Sequence, residues 1–340
     1  MRTAPDSLCI LARWASFLVA VFLAPLAALA AAPDATVSAD GAGDFTTIRA
    51  AIDAAPQICR DDGHRWVILV KPGTYRELVY VQREKRFIDL VGAEADTTVL
   101  AYDLSSNLPG ADGKPIGTFR TPTLSVDADD FTIENLTIAN TAGQKGPALA
   151  LRLDGDRIAV RHCHLTGWQD TLLVNRGRHY FEDCTIEGAA DFIFGGATAW
   201  FERCHLRAVG GGYLTAASTP DFQSFGYVFD HCDITSAPGV KTYLGRPWRD
   251  FAQVIFLHTN MSEAVRPEGW HNWNKPAAQK TAVYGEFDST GPGAPHGGRV
   301  PWSRQLTATD AARYTIENVL SGTDHWNPTA GPATMPGQSP

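Results

Sequence analysis

The order of apolar and polar residues predicts one short helix near the start of the chain. Residues 36–56, TVSADGAGDFTTIRAAIDAAP, carry apolar side chains at the i, i+3, i+4, i+7 spacing of a single helix face. These apolar positions are Ile48, Ala51, Ile52 and Ala55. Thr46 or Thr47 stands where a side chain can cap the first turn. We expect this helix to cap one end of the fold that follows.

After the helix, the chain changes to short apolar runs that are typical of β-strands. These runs are RWVILV, LVYVQ, RFIDLVG, TTVLAY and TLSVDADDFTIENLTIAN. No long helical pattern alternates with them, which disfavours a doubly wound α/β fold. The 31 glycines and 21 prolines supply many turns.

An internal repeat then predicts the architecture. Its members are VRHCHL (160–165), FEDCTI (181–186), FERCHL (201–206) and FDHCDI (229–234). Each has an apolar residue, a cysteine three positions later and an aliphatic residue two positions after that. FTIENLTI (131–138) resembles them, with Asn135 in the place of the cysteine, so that the steps from residue 135 are 28, 21, 20 and 28. A β-type repeat of this length is typical of a solenoid, here a parallel β-helix. An antiparallel sandwich with similar strands is the alternative.

The repeat places four cysteines, Cys163, Cys184, Cys204 and Cys232, in one inward-facing column. Coils stacked about 4.8 Å apart bring neighbouring cysteines within disulfide range. Cys184 and Cys204 are the best candidate pair, although small buried thiols can also pack without a bond. We find no CxxC motif and no Cys/His zinc spacing, and the ten histidines are scattered. We therefore expect no metal site and no cofactor.

The first thirty residues have the pattern of a cleavable export signal. Arg2 and Arg13 flank a polar opening, and an apolar run follows from about residue 15 to residue 30. Ala28-Leu29-Ala30 offers small residues for cleavage. A membrane anchor is the alternative, but the run is shorter than the roughly 20 residues that a span needs. We expect a secreted or periplasmic protein.

The net charge of the chain limits the classes of partner that it is expected to bind. The full chain carries −8, and removing Arg2, Arg13 and Asp6 with the signal takes away a net +1, which leaves −9. Such an acidic protein is a poor ligand for nucleic acid or anionic membranes. Residues 31–326 are expected to form one monomeric β-helix domain, and the Pro/Gly-rich residues 327–340 are expected to form a disordered tail.

The same repeat gives a reason to pair two aspartates. Asp170 lies seven residues after Cys163, and Asp191 lies seven residues after Cys184. The two therefore occupy equivalent positions on neighbouring coils. Two close carboxylates do not ionise independently, so one becomes an anion and the other a protonated acid near neutral pH. The alternative is a pair of turn aspartates that bind backbone amides.

Across roughly residues 36–326 the sequence resembles the pectin methylesterases, a family of right-handed parallel β-helix carbohydrate esterases, and we interpret it as a bacterial member. The resemblance rests on motifs that occur in the family's order. They are DGAGDFTTIRAAIDAAP, KPGTYRE (71–77), GWQDTL (167–172), DFIFG (191–195), GYLTAAST (212–219), YLGRPW (243–248) and GWHNW (269–273). KPGTYRE looks like a structural turn rather than part of the chemistry.

The resemblance implies hydrolysis of the methyl esters of polygalacturonate (pectin), with a role for each matching residue. Asp191 would be the nucleophile and Asp170 the general acid, then base. Gln169 would donate to the oxyanion, and Arg246 would hold Asp191 ionised. The alternative for Arg246 is an ordinary ion pair.

Three further residues are expected to bind the sugar chain. Trp248 would offer a flat face to a sugar ring, and Phe194 and Thr123 would line the groove. Trp248 and Phe194 could instead be plain core residues.

One departure from the family concerns the oxyanion site. The family's QAVAL motif begins with a glutamine, whereas the corresponding GPALAL (146–151) has Pro147 there. Proline offers neither a side-chain donor nor a backbone N–H. Gln144 lies nearby at a different offset, and the role is not carried over to it.

Other functions fit the sequence less well. DADD (127–130) is the one dense acidic cluster, and it resembles a turn between strands rather than the calcium site of a lyase. No G-x-S-x-G motif indicates a serine esterase. A related acyl esterase or thioesterase, or a non-catalytic carbohydrate-binding β-helix, remains the alternative.

Overall fold

The computed structural model describes residues 32–57, 64–294 and 297–329. The predicted signal peptide (residues 1–30), Cys59 and residues 330–340 of the predicted tail lie outside the described residues. Among the described helices, none has the length and apolar character needed to cross a membrane.

Short strands account for most of the regular structure in the described residues. In chain order they are β1 (Ala35–Val37), β2 (Trp66–Val70), β3 (Gly73–Tyr75), β4 (Val79–Val81), β5 (Ile88–Gly92), β6 (Thr98–Tyr102), β7 (Leu124–Val126), β8 (Thr132–Glu134), β9 (Thr137–Asn140), β10 (Leu151–Leu153), β11 (Ile158–Arg161), β12 (His164–Thr166), β13 (Leu172–Val174), β14 (Arg178–Glu182), β15 (Thr185–Gly195), β16 (Thr198–Glu202), β17 (His205–Ala217), β18 (Tyr227–Asp230), β19 (Asp233–Ser236), β20 (Thr242–Gly245), β21 (Gln253–Leu257), β22 (Asn260–Met261), β23 (Val283–Phe287) and β24 (Arg304–Gln305). The helices are α1 (Ile48–Ala54), α2 (Ala308–Ala311) and α3 (Ile316–Leu320), with 3₁₀ turns at Thr118–Arg120, Gly143–Lys145 and Pro276–Lys280.

The strands stack into the faces of a parallel β-helix. One face has the order β1-β2-β5-β8-β11-β14-β16-β18-β21-β23-β24. The long strand β15 bends and belongs to two further faces: its first residues pair with β12, and its last residues pair with β13. Every pairing between these strands is parallel, which rules out the antiparallel sandwich.

Aromatic and sulfur side chains stack inside the coil, as the repeat predicts. Phe181, Phe201 and Phe229 are level with one another on β14, β16 and β18, and all are fully buried. The cysteines of the repeat are buried as well, but they are free thiols, so the candidate Cys184–Cys204 disulfide is wrong. Their sulfur atoms instead donate to backbone carbonyls, for example Cys184 Sγ to Val160 O at 3.4 Å.

In FTIENLTI, the first segment that resembles the repeat, the predicted alignment with the cysteine column is wrong by one residue. Val160 pairs with Ile133, and His164 pairs with Thr137, so Leu136 rather than Asn135 is level with Cys163. Leu136 is fully buried, as a residue in this column must be. Asn135 is level with the preceding residue and has a φ of 56°, a left-handed conformation that asparagine adopts more readily than most residues.

Asn135 belongs to a column of turn residues that we call the turn ladder. Each member connects the first face to the next and has a positive φ between 46° and 56°. The members are Asn135, His162, Asp183, Arg203, His231, His258 and Asp288. The turn ladder therefore places polar side chains from successive coils one above another.

The N-terminal helix forms where the apolar stripe predicts it. Thr47 caps α1, and its hydroxyl accepts a hydrogen bond from the Ala50 N–H at 3.2 Å. The Glu77 carboxylate, from the KPGTYRE motif, accepts hydrogen bonds from the N–H groups of Ile48 and Arg49. This motif therefore anchors the helix, in agreement with its expected structural role. DADD likewise forms the turn between β7 and β8.

The C-terminal segment packs on the outside of the first face. Val319 and Leu320 of α3 join a buried cluster with Tyr180 and Trp200. The Arg161 guanidinium donates to the Pro328 carbonyl at 2.6 Å. The ordered domain therefore extends past Trp326 to at least residue 329, and residues 327–329 were wrongly assigned to a disordered tail.

Replacing Phe201 tests the internal stack. Its ring lies 4.6 Å from that of Phe181 and 4.3 Å from that of Phe229. We expect Phe201→Ala to lower the free energy of unfolding by about 3–5 kcal/mol, because a cavity opens in the middle of the column. Phe222, which is 85% exposed, gives the matched control, and Phe222→Ala should change it by less than about 0.5 kcal/mol. Equal effects in equilibrium denaturation by guanidinium chloride would contradict this account.

Candidate active site

The coil register brings Asp170 and Asp191 to the same level on neighbouring coils. Leu172 pairs with Ile193, and a parallel bridge joins Gln169 to Ala190. Asp170 and Asp191 lie between these paired positions, so their backbones are one coil spacing apart, about 4.8 Å along the axis of the β-helix. Both have a positive φ, 63° for Asp170 and 51° for Asp191. The predicted register of the two aspartates on neighbouring coils is confirmed.

Asp191 stands where strand β15 is irregular. The register between β15 and β17 shifts on both sides of Ala190, between Gly188 and Ile193. Such irregularities redirect side chains and are common next to functional sites. The local change of direction is what allows a residue in the middle of an eleven-residue strand to turn its carboxylate toward a partner coil.

Burial and like charge raise the pKa of Asp170. Burial is the larger cause and the charge of Asp191 the second, while Arg246 opposes both. The result is a pKa of about 7 for Asp170. Near neutral pH this carboxyl group therefore holds a proton that it can donate.

Asp191 is in a different environment, because an arginine forks onto its carboxylate. Arg246 Nε donates to Oδ1 at 2.9 Å, and Arg246 Nη2 donates to Oδ2 at 2.6 Å. Burial raises the pKa of Asp191 above its usual value, and the hydrogen bonds and charge of Arg246 offset only part of this rise. The Asp191 charge raises the pKa of Asp170, so Asp191 ionises first and the two carboxyl groups divide into an anion and an acid.

Two aromatic rings enclose Arg246, and neither of these residues was predicted from the sequence to belong to the site. The guanidinium carbon lies 3.9 Å from the ring centre of Tyr213 and 3.6 Å from that of Trp273. Rings on both faces leave the guanidinium edge free to bind Asp191 and restrict its rotation. Tyr213 lies in GYLTAAST and Trp273 in GWHNW, so their presence in the family motifs was the available signal.

An apolar surface adjoins the arginine. Trp248 and Phe194 pack with their ring centres 5.8 Å apart, and Trp273 joins the same cluster. Phe194 is only 5% exposed, whereas Trp248 is half-buried. Trp248 thus has more surface to offer a sugar ring, and Phe194 mainly supports it from below.

The two remaining predicted site residues, Gln169 and Thr123, differ in how far they are exposed. Gln169 is half-buried directly before Asp170, and its backbone carbonyl accepts from the Ala148 N–H at 3.0 Å. Thr123 is fully buried, and its hydroxyl donates to the Ala139 carbonyl at 2.9 Å. The assignment of Thr123 to the groove therefore fails, because no part of it is exposed to a ligand.

Pro147 stands where the family resemblance implies an oxyanion donor, and the N–H of the next residue, Ala148, donates to the Gln169 carbonyl. Pro147 is half-buried, and its carbonyl accepts from the Ser106 N–H at 2.8 Å. Gln144 is exposed in a 3₁₀ turn. The chain thus carries one glutamine, Gln169, directly beside the paired aspartates.

This arrangement suits nucleophilic catalysis better than metal binding. Both oxygens of Asp191 face the guanidinium of Arg246, which takes the place that a metal cation would need. An anionic carboxylate next to a protonated one supplies a nucleophile and a general acid in one site.

Comparisons with known proteins agree with the fold and the motifs. The family model described as Pectinesterase matches residues 34–323. Pectinesterase 31 of Arabidopsis thaliana is 39% identical over 287 residues, which cover 82% of this chain and 89% of that protein.

Solved structures give the same result. The pectin methylesterase from carrot aligns with a TM-score of 0.80 and 31% identity, over 87% of this chain and 95% of that chain. A pectin methylesterase in complex with a hexasaccharide aligns with a TM-score of 0.76 and 31% identity, over 89% of this chain and 100% of that chain. The fold is accordingly a right-handed parallel β-helix, as the resemblance implied.

The raised pKa of Asp170 makes folding stability depend on pH. Its pKa rises from 3.8 to about 7 on folding, so the unfolded chain releases this proton at lower pH than the folded protein. The folded state therefore loses stability between about pH 4 and pH 7. We expect Asp170→Asn, which cannot ionise, to be about 2–4 kcal/mol more stable than the parent chain at pH 8 and equal to it near pH 4. Thermal unfolding at both pH values measures this, and a variant without the gain at pH 8 would count against the raised pKa.

Proposed function

Because the chain belongs to the pectinesterase family and is a carboxylic ester hydrolase, we propose that Asp191 and Asp170 catalyse hydrolysis of the methyl esters of polygalacturonate, which releases methanol and pectate. The observation that carries the assignment of residues is the arginine-bound Asp191 beside an Asp170 whose pKa is about 7.

In the first step an Asp191 oxygen attacks the ester carbonyl carbon. Arg246 keeps this carboxylate ionised and fixes the direction of its oxygens. The carbonyl oxygen becomes negative, and the side-chain amide of Gln169 donates to it. As the tetrahedral species collapses, the bond to the methoxy oxygen breaks and Asp170 gives that oxygen its proton. Methanol leaves, and an anhydride joins the sugar acid to Asp191.

In the second step Asp170, now a carboxylate, accepts a proton from water. The water oxygen attacks the galacturonyl carbonyl carbon of the anhydride, and the bond from that carbon to the Asp191 oxygen breaks. Asp191 leaves as a carboxylate and Asp170 is protonated again. The products are one methanol and one galacturonic acid group, and the two aspartates return to their initial protonation states.

The surroundings suit a methylated polymer. Trp248 provides an aromatic face beside the catalytic arginine, with Phe194 packed against it. The chain carries a formal charge of −8, which disfavours a fully ionised polyanion and favours an esterified one. The hexasaccharide complex reported for a related pectin methylesterase supports an oligosaccharide ligand.

The cellular setting belongs to the same proposal. An esterase of a polymer outside the cell needs export, which the pattern of residues 1–30 predicts. We propose a secreted or periplasmic monomer that binds neither nucleic acid nor membranes and needs no cofactor. Its bacterial origin stays a prediction, since the relatives from named organisms given above come from plants.

One observation favours a second candidate. Pro147 removes a donor that the family places in the oxyanion site, so an acyl ester or thioester with a more reactive carbonyl would be affected less by its loss. A non-catalytic carbohydrate-binding role is disfavoured, because binding alone does not require a protonated Asp170 beside an ionised Asp191.

Replacing the nucleophile tests the proposal. Methanol release from highly methylated pectin should fall by about 10⁴-fold or more in Asp191→Asn, because the amide cannot attack the ester. Asp183→Asn is a matched control: Asp183 has the same φ of 51° but lies in the turn ladder, and this variant should keep its activity.

The substrates that the unmodified protein hydrolyses distinguish the two candidate functions. Absence of methanol release from pectin, with hydrolysis of a small acyl ester or thioester, would favour the second candidate. Unsaturated products that absorb in the ultraviolet would instead indicate cleavage of the polymer by a lyase.

Restoring the missing donor is a separate test. We expect Pro147→Gln to raise kcat on methylated pectin. The increase should reach up to about 10²-fold if the side-chain amide of the new glutamine contacts the oxyanion. Pro147→Ala controls for release of the backbone and should not reproduce the gain. A clear loss of activity in the glutamine variant, with the alanine variant unchanged, would show that no oxyanion position is open at residue 147.

A further inference from the structure

Three side chains that can bind a metal converge on the outside of the first face. Asp230 ends strand β18, His231 follows it in the turn ladder, and His258 is the next member of that ladder. Asp230 Oδ1 lies 2.7 Å from His258 Nδ1 and 3.0 Å from His231 Nδ1. The three ligand atoms all lie within 4.8 Å of one another.

The backbone holds this arrangement. The His231 N–H donates to the Leu257 carbonyl at 3.2 Å, and the His258 N–H donates to the Phe287 carbonyl at 2.9 Å. The two imidazoles stack with their centres 4.8 Å apart and an interplanar angle of 24°. Nearly parallel rings on successive coils present the same edge, so both Nδ1 atoms point to one carboxylate oxygen.

The charges around Asp230 differ from those elsewhere on this side of the coil. In the described part of the chain, the ion pairs of Asp230 are with the two histidines. Glu182, in contrast, pairs with two arginines, Arg161 and Arg203. Glu202, the neighbour of Asp230 on the next strand, pairs with Arg203, whereas no lysine or arginine among the described residues forms an ion pair with Asp230. A bound cation would place a permanent positive charge beside this carboxylate.

We propose that Asp230, His231 and His258 bind a divalent first-row transition metal ion, for which zinc is the probe. Imidazole and carboxylate ligands suit zinc, nickel or copper, whereas calcium and magnesium prefer sets of oxygen ligands. Ligand atoms about 2.0–2.1 Å from a tetrahedral zinc are roughly 3.3 Å apart, so small side-chain rotations from the observed 2.7 and 3.0 Å suffice. The half-exposed His258 and exposed His231 leave further positions to water.

Such an ion would join two coils. His231 and His258 are 27 residues apart in the chain, far outside the short spacings typical of zinc motifs, and this explains why the sequence predicted no metal site. The site lies on the turn ladder, away from the paired aspartates, and does not depend on the proposed esterase function. Binding to the folded state alone would raise thermal stability.

Titration calorimetry with zinc chloride tests the proposal on the untagged protein after treatment with a chelator. We expect one zinc per chain, and at least about tenfold weaker binding in each of His231→Asn, His258→Asn and Asp230→Asn. Asparagine tolerates the positive φ of the two histidines, so the turn should keep its backbone. His162→Asn is the matched control, since His162 occupies the same ladder with one distant carboxylate, Asp183 at 4.0 Å.

Two further measurements separate a metal site from a folding defect. Zinc should raise the Tm of the parent chain and of His162→Asn but not that of the three ligand variants, while calcium should leave all five unchanged. Cobalt bound to the parent chain should give a visible absorption band that zinc removes. No saturable zinc binding by the parent chain, or equal binding by all variants, would overturn the proposal.

Discussion

The hydrogen-bonded register between successive coils is the constraint on which the rest of this structure depends. It places Phe181, Phe201 and Phe229 in one internal stack. The same register brings Asp170 level with Asp191, although they are 21 residues apart. Because side chains alternate between the two sides of a strand, a slip by one residue would expose the stack and separate the carboxylates at once. Core packing and the catalytic geometry are therefore specified by the same backbone hydrogen bonds.

Asp170 and Asp191 differ because positive charge is distributed unequally around them. The half-buried Asp170 and the buried Asp191 lie level on neighbouring coils, and the guanidinium of Arg246 forks onto Asp191. Burial acts on both, but only Asp191 has close hydrogen bonds from a cation to offset it. Tyr213 and Trp273 cover the two faces of Arg246 and direct its edge toward Asp191. The aromatic pair thus helps to hold Arg246 on Asp191, the nucleophile of the proposed function.

The sequence was informative where a residue type repeats with the coil, and misleading where it does not. Phe and Cys columns predicted the β-helix and the aspartate pairing, and the apolar stripe predicted α1. Asn135 was placed one position early, because a polar residue in a turn and an apolar residue in the core stand next to each other in FTIENLTI. Thr123 was assigned to the groove, yet a β-branched side chain at 0% exposure belongs to the interior. The rings around Arg246 come from two distant motifs, and no local pattern joins them.

The turn ladder shows how backbone conformation can create chemistry. The seven members of the turn ladder are all left-handed, and asparagine, aspartate and histidine adopt that conformation more readily than apolar residues do. Conformational preference thus supplies polar side chains, and coil stacking sets them one above another. Where Arg203 follows Asp183, the result is an ion pair. Where His258 follows His231 beside Asp230, the same geometry produces a cluster of metal-binding atoms. The two aspartates of the candidate active site also have a positive φ, as do the two histidines of the metal-binding cluster, so left-handed residues that successive coils bring into register contribute to both sites.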